Sequence, residues 1–310
     1  MLTFFSIPKP FRDNYDIIQR NAIQSWLHAF PGCEVILCGN EEGVDNVATE
    51  YGAKHYPDVD CNEYGTPFLD SIFERIQVKA QYNLVCFVNC DIILLSGIRD
   101  AMNKIIVEYD RFLVVGQRWD FDISNLIDFK SQNWEDNLKE KVRTCGTLHD
   151  PVGSDYFIFP KGLLGKIPRF LIGRPGWDNW IIYQARTIGI PVIDGTELIT
   201  VIHQNHDYAH VAKNIGGTYY GPEANYNLNL LGGKKRWFLL TDATFIFRHG
   251  ELIKAQDAIH IRQKIMRQTV LYNNNFGLIW LLQIVCLIIF MFRTCLPKYV
   301  WRRLINAMCR

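Results

Sequence analysis

The chain has 310 residues, 48% hydrophobic and 21% charged, the composition of an ordinary globular protein with a sizeable core in one or two domains. A formal net charge of +1 argues against nucleic acid as the main partner. Nine cysteines, an odd number with no Cys-x-x-Cys pair, give neither a disulfide framework nor a zinc site.

Residues 2–7 read as a first strand, closed by Pro8 and Pro10. The start of the chain is not a signal peptide: it lacks a basic opening, its apolar run is short, and two prolines interrupt it, so the body is expected on the cytosolic side. Residues 15–30 read as a helix with Ile17, Ile18, Ala22, Ile23 and Trp26 on one face, ended by Pro31-Gly32. A strand over 34–38, a helix over 41–51 and a short strand over 53–56 follow. This alternation predicts a parallel sheet with helices on both faces. The polar loop 58–67 leads to a helix over 68–80. Next comes the apolar run Leu84-Val85-Cys86-Phe87-Val88, which ends abruptly in Asn89-Cys90-Asp91. Such runs belong to strands covered on both faces.

A strand over 112–117 runs into Arg118-Trp119-Asp120, and 120–149 is polar with weak periodicity. Residues 156–159 read as a strand led by Gly153-Ser154-Asp155, 178–187 as a helix, and 191–193 and 198–203 as strands. Residues 216–233, rich in Gly, Asn and Tyr, read as an irregular surface lobe.

The last segment differs in character. Residues 251–310 carry nine Lys/Arg and two Asp/Glu, a charge of +7, which leaves −6 for residues 1–250. The expected division is therefore a body over 1–250 and a basic, apolar tail over 251–310. Within the tail, 276–292 is apolar apart from Gly277 and Gln283. That length is at the lower limit for a transmembrane helix across a hydrocarbon core of ~30 Å. Trp280, Tyr299 and Trp301 suit interfaces, and Pro297 with the basic last segment suits a helix lying on the surface. A membrane-associated tail is expected, spanning or lying flat.

Five polar clusters fall at strand ends or in loops: 62–66, 89–91, 153–155, 176–179 and 203–210. Ligands of open α/β sheets bind beyond the carboxyl ends of strands, where Asp91 is placed to hold Mg²⁺ or Mn²⁺ or, on the plainer reading, to cap a turn. His203 or His206 is a candidate second ligand, or part of a solvated His-rich loop. Asp178 is either a helix N-cap or a general base for an acceptor hydroxyl. Trp177 and Trp180 offer faces for a sugar ring or pack in the core. Asp155 is a candidate contact for acceptor hydroxyls or an Asx-turn residue. The loop holding Asn62, Gly65 and Thr66 is expected to present backbone N–H groups to a diphosphate. Arg118 neutralises phosphate or pairs with Asp120 or Asp122.

Assembled, these residues resemble the nucleotide-diphospho-sugar transferases of the GT-A fold, and the chain is similar to uncharacterised bacterial glycosyltransferase family-two-like proteins. The resemblance covers roughly residues 1–245. The family's metal motif, Asp-x-Asp at the end of a central strand, is matched by Asn89-Cys90-Asp91, with a departure at its first position that puts the ribose or second metal contact of Asn89 in question. Trp177-Asp178-Asn179 matches the segment that carries the acidic base of inverting members, and His203 or His206 matches a histidine that ligates metal in many members.

The resemblance implies an α/β, Rossmann-like, mostly parallel sheet flanked by helices. It implies a hexosyltransferase-type enzyme using Mn²⁺ or Mg²⁺, a nucleotide-sugar donor and a hydroxyl acceptor. Inversion at the anomeric carbon would follow from direct displacement, and retention stays open. The tail fits a lipid or polysaccharide acceptor at the membrane. The competing expectation is a non-catalytic nucleotide-sugar or carbohydrate binding protein, which Asn89 favours. A nucleotidyltransferase is disfavoured, because Pro8-Lys9-Pro10-Phe11-Arg12 holds no glycine where such enzymes carry a Gly-rich basic loop.

Overall fold

The computed structural model describes residues 1–206 and 218–272. The chain divides into compact units Met1–Ala255 and Gln256–Arg310. The first unit opens with β1 (Leu2–Ser6), α1 (Asp13–Ala29), β2 (Glu34–Cys38), α2 (Val44–Tyr51), β3 (Lys54–Tyr56), α3 (Leu69–Lys79) and β4 (Leu84–Val88). It continues with β5 (Ile92–Leu94), α4 (Gly97–Glu108), β6 (Leu113–Val115), β7 (Trp119–Phe121), α5 (Trp134–Cys145), β8 (Thr147–Leu148) and β9 (Tyr156–Pro160). It closes with α6 (Trp177–Thr187), β10 (Val192–Asp194), β11 (Val201–Gln204), α7 (Pro222–Leu231), β12 (Phe245–Arg248) and β13 (Glu251–Lys254). In the second unit α8 (Ala258–Tyr272) is described.

Among the described residues the strands form a nine-stranded sheet, in the order β13-β12-β10-β6-β9-β4-β1-β2-β3, and a four-stranded sheet, β5-β11-β7-β8. In the large sheet β4, β1, β2 and β3 run parallel, as do β6, β10 and β12. Between these blocks β9 runs antiparallel to both β4 and β6. The central strands β1, β2 and β9 are buried along their whole length, which is why their sequences are apolar runs without alternation. The buried Cys38 and Cys86 behave as small hydrophobes there; burial pushes the Cys38 thiol up to about 12.

The small sheet positions the site. The run expected as one strand through residue 91 breaks after Val88. The chain turns at Asn89–Asp91, where the Ile92 N–H donates to the Asn89 carbonyl at 3.1 Å, and re-enters as β5 in the other sheet. The indole of Trp26 on α1 fixes that re-entry by donating to the Ile92 carbonyl at 2.8 Å. Strand β11 lies between β5 and β7, so His203 stands opposite Ile92 on one side and Asp120 on the other. Buried Gln204 ties β11 to α1: it donates to the Ile18 carbonyl at 2.8 Å and accepts from Asn21 at 3.1 Å.

Four assignments are corrected by the structure. Helix α4, in a stretch given no element, buries Ile98, Ala101, Met102 and Ile105, the i, i+3, i+4, i+7 stripe of an amphipathic helix. Helix α5 lies inside the polar segment of weak periodicity, which was given no element; only Leu138 and Val142 are buried on it, too narrow a stripe to stand out. Strand β7 is hidden in the polar tract that begins at Arg118. The lobe over 216–233 holds α7, started by Gly221-Pro222 and stopped by Gly232 in the left-handed region. Its Asn227 pairs with Leu171 as a strand would, accepting from the N–H at 2.8 Å and donating to the carbonyl at 2.9 Å.

The candidate membrane segment 276–292 lies outside the described residues. Among the described residues no helix is long and apolar enough to cross a membrane.

Candidate functional site

A cavity of about 870 Å³ opens where β1 and β4 end, walled by residues 7–10, Asn89 to Asp91, Gly65 to Pro67, and the loop at Gly173-Arg174. That volume is typical of a small-molecule site, and the position is the expected one for an α/β sheet.

Asp91, His203 and His206 meet on the cavity wall, each offering one ligand atom within 4.8 Å of the others. The His206 Nε2 lies 3.0 Å from Asp91 Oδ2, and the His203 Nε2 lies 3.8 Å from the same oxygen. The other oxygen, Asp91 Oδ1, is buried with no hydrogen-bond partner among the described residues. An orphaned carboxylate oxygen beside two imidazoles fits a divalent cation that favours oxygen and tolerates nitrogen. Burial pushes the Asp91 carboxyl up, but the His206 hydrogen bond and the nearby His203 and Lys9 outweigh it and hold the group well below the usual carboxylate range. Residues 207–210 of the His-rich stretch lie outside the described residues.

Behind His203 stands Asp120, whose Oδ1 is 3.4 Å from His203 Nδ1. The two make no hydrogen bond: His203 Nδ1 is buried without a hydrogen-bond partner among the described residues, so Asp120 acts on the ring through its charge alone. Asp120 is itself held by His149 Nδ1 at 2.8 Å and by Arg118 Nε at 2.9 Å. The second arm of Arg118 donates from Nη1 to Asp155 Oδ2 at 2.7 Å, and Asn89 Nδ2 donates to Asp155 Oδ1 at 2.8 Å. Arg118 thus forms the carboxylate pair with Asp120, adds Asp155, and still lines the cavity.

Asp178 is the second residue of α6, placed there by Gly176, whose φ of 103° is a left-handed conformation that favours glycine. It is not among the residues that line the cavity, whereas Trp177 and Asp155 are. Burial pushes the Asp178 carboxyl up and the charge of Asp155 adds to this, against the opposing backbone amides of Asn179 and Gly176. Trp177 is 6% exposed and sets its ring edge against Phe87 at 5.3 Å, so it serves both core and cavity. Trp180 packs on Phe170 at 5.8 Å and belongs to the core.

The expected N–H cradle at 62–66 is a correction. Asn62 Oδ1 accepts from the N–H of Tyr64 and of Thr66 at 3.0 and 2.9 Å, the Gly65 N–H donates to the Asn62 carbonyl at 3.0 Å, and the Asn62 N–H donates to the Thr66 carbonyl at 3.0 Å. These four N–H groups are consumed within the turn and are not aimed at a diphosphate. Asn62 does not line the cavity, though Gly65 and Thr66 do. The side-chain amide of Asn62 donates to Glu223 at 2.6 Å.

Glu223 also takes two bonds from Arg174, Nε at 2.9 Å and Nη2 at 2.6 Å; the two side chains are 3% and 8% exposed. Glu223 thus joins α7 to the Arg174 loop and, through Asn62, to the turn that holds Gly65 and Thr66. Removing one member of a buried pair leaves the other charge uncompensated, which costs about 3–5 kcal/mol. Glu223→Gln is therefore expected to lower the unfolding free energy by about that much in urea titrations; a loss below ~1 kcal/mol would show the pair to be a surface-like ion pair.

Sequence reasoning passed over Lys9 and Tyr15 as site residues. Lys9 Nζ lies 4.6 Å above the Tyr15 ring, and the Tyr15 hydroxyl is 3.5 Å from His206 Nδ1. Gln19 fixes the Lys9 backbone, accepting from its N–H at 2.6 Å and donating to its carbonyl at 2.9 Å. The available signal was position, since Lys9 follows the first strand at its carboxyl end. Asp120 was read only as a partner of Arg118; its place beside His203 follows from the β7–β11 register, and that of His149 from the β7–β8 pairing.

No protein-family model and no curated protein matches the chain. Among solved structures it is similar to S. aureus TarS 1-349 in complex with UDP-GlcNAc, at 14% identity over 90% of this chain and 76% of that chain, TM-score 0.45. It is similar to glucosyl-3-phosphoglycerate synthase from Mycobacterium tuberculosis with Mg²⁺ and uridine-diphosphate, at 14% identity over 68% of this chain and 73% of that chain, TM-score 0.39. The same enzyme with Mn²⁺, uridine-diphosphate and glucosyl-3-phosphoglycerate matches at 13% identity over 76% and 80%, TM-score 0.42.

Proposed function

We propose that this chain is a metal-dependent glycosyltransferase that moves a sugar from a nucleotide sugar to a hydroxyl acceptor. The observation that carries the reading is the cluster Asp91–His203–His206, with its orphaned carboxylate oxygen, beyond the end of β4 in a cavity of about 870 Å³. The GT-A character of the body is a fold-level analogy that raises this reading above other uses of such a site. Asp91, His203 and His206 would hold Mn²⁺ or Mg²⁺, whose charge supplies electrostatic stabilisation for a departing diphosphate.

The chain's own residues do the rest. Lys9, set beside the cluster by Gln19, adds positive charge to the donor side of the cavity. Asp155 presents a fixed carboxylate to the hydroxyls of the acceptor. Asp178, whose carboxyl is raised by burial, is the proposed base for the attacking hydroxyl; it does not line the cavity, so the acceptor has to reach it past Trp177, and direct attack inverts the anomeric carbon. The test is a panel of nucleotide sugars assayed with Mn²⁺ for hydrolysis and transfer. Metal-dependent turnover of one donor is expected; donor binding without turnover across the panel would make the chain a binding protein instead.

The tail is part of the proposal. Its charge of +7 over residues 251–310 and the apolar stretch 276–292 support association with an anionic membrane from the cytoplasmic side, which suits a lipid or polysaccharide acceptor. The full chain is expected to sediment with anionic vesicles and a chain ending at residue 255 to stay in solution. Equal sedimentation of both would place the anchor elsewhere.

A further inference from the structure

Asn89 occupies the position at which the resemblance leads one to expect a carboxylate, and the geometry gives it different work. We propose that Asn89 is a positioning residue for Asp155 and not a ligand to the cation. The inference rests on the transferase reading for what Asp155 contacts, but not for the assignment of Asn89 itself.

Asn89 and Asp155 are bound twice. The Asn89 N–H donates to the Asp155 carbonyl at 2.9 Å, where β4 and β9 part, and its side-chain Nδ2 donates to Asp155 Oδ1 at 2.8 Å. The opposite carboxylate oxygen takes Arg118 Nη1 at 2.7 Å. Each oxygen of Asp155 thus receives one donor, from a different side, and the carboxylate is clamped in its plane. A carboxylate oxygen has about two lone-pair sites, so each keeps one for a ligand. Asp155 is 8% exposed and lines the cavity with Asn89 and Arg118. A rigid, charged acceptor of that kind selects hydroxyl donors, which is what a sugar offers.

The chemistry of position 89 follows. The clamp needs a donor there, and an ionised aspartate has none. An aspartate at 89 would face the Asp155 carboxylate with a like charge at hydrogen-bonding distance. The side-chain amide of Asn89 is turned to Asp155, while the groups gathered round the Asp91 carboxylate are His206 and His203. The departure from Asp-x-Asp is therefore a consequence of the neighbour, since at this position the chain uses a hydrogen-bond donor to fix a second acid, the residue that precedes β9.

The test compares the full wild-type chain with Asn89→Asp, using Mn²⁺ binding by calorimetry and the acceptor and donor KM of the transfer reaction. Expected are a Mn²⁺ Kd within about twofold of wild type, an unchanged donor-nucleotide affinity, and an acceptor KM raised by about tenfold or more, the loss of roughly one charge-assisted hydrogen bond. Mn²⁺ binding tightened by about tenfold or more would put position 89 within the ion's reach and overturn the proposal. An unchanged acceptor KM would overturn it as well. Should Asn89→Asp not fold, Asn89→Ala carries the test: an unchanged Mn²⁺ Kd with a raised acceptor KM is expected, and Mn²⁺ binding weakened by about tenfold or more would make Asn89 a ligand and overturn the proposal. A wild-type chain that binds Mn²⁺ but transfers no sugar would end the transferase reading, while the Mn²⁺ comparison would still decide the assignment of Asn89.

Discussion

Replacing Asp91 by alanine is expected to abolish measurable Mn²⁺ binding and to lower transfer by about a thousandfold, the equivalent of ~4 kcal/mol of lost electrostatic stabilisation. Asp91 is the one carboxylate of the three-residue cluster; without it two imidazoles remain, a weak site for a hard cation that prefers oxygen. Asp120 cannot take its place, because Arg118 and His149 hold its two oxygens at 2.9 and 2.8 Å. Asp91→Asn keeps the shape and one acceptor for His206, which separates loss of charge from loss of packing. Both variants are compared with wild type by Mn²⁺ calorimetry and by initial rates at saturating donor. Undiminished turnover in either one would remove Asp91 from the chemistry.

What the sequence disclosed and what it hid follow from the range of the interactions. The apolar runs of β1, β2 and β4 and the striped face of α1 are local patterns, and their places are close to those expected. The turn at Asn89 to Asp91 was legible as an abrupt end to an apolar run, but not the re-entry of the chain as β5, which the Trp26 bond to Ile92 fixes from 66 residues away. Asp91 and His203 were legible as polar residues at strand ends. Their meeting is a matter of register, since β11 pairs with β5 so that His203 stands opposite Ile92. Asp120 was hidden for the same reason, because β7 is three residues long in a polar tract. The Asn62 turn misled because its composition suits an anion-binding loop as well as a self-contained one. In the folded chain Asn62 Oδ1 takes the N–H groups of Tyr64 and Thr66.

The second large effect is expected at Asp178, where replacement by asparagine should lower transfer by about 10²–10⁴-fold and leave Mn²⁺ and donor binding as they were. A base works ionised, so the rate should rise with pH through the folded pKa of Asp178. Burial raises that pKa, which moves the acid limb of the profile upward from that of an ordinary aspartate, and the limb should vanish in Asp178→Asn. Stability supplies the control. A carboxyl whose folded pKa lies above its unfolded value contributes stability that is fully present below the unfolded pKa, near ~3.9, and is lost as pH rises through the folded pKa. At neutral pH the ionised group is therefore a cost to the fold, and the amides of Asn179 and Gly176 offset only part of it. Asp178→Asn should be at least as stable as wild type at pH 7, with its advantage shrinking toward pH 4. An inactive variant that melts higher than wild type at neutral pH cannot owe its inactivity to unfolding. One that keeps wild-type rates and an unchanged acid limb would leave Asp178 as an acidic residue of the first turn of α6 and leave the proton to Asp155, its charged neighbour on the cavity wall.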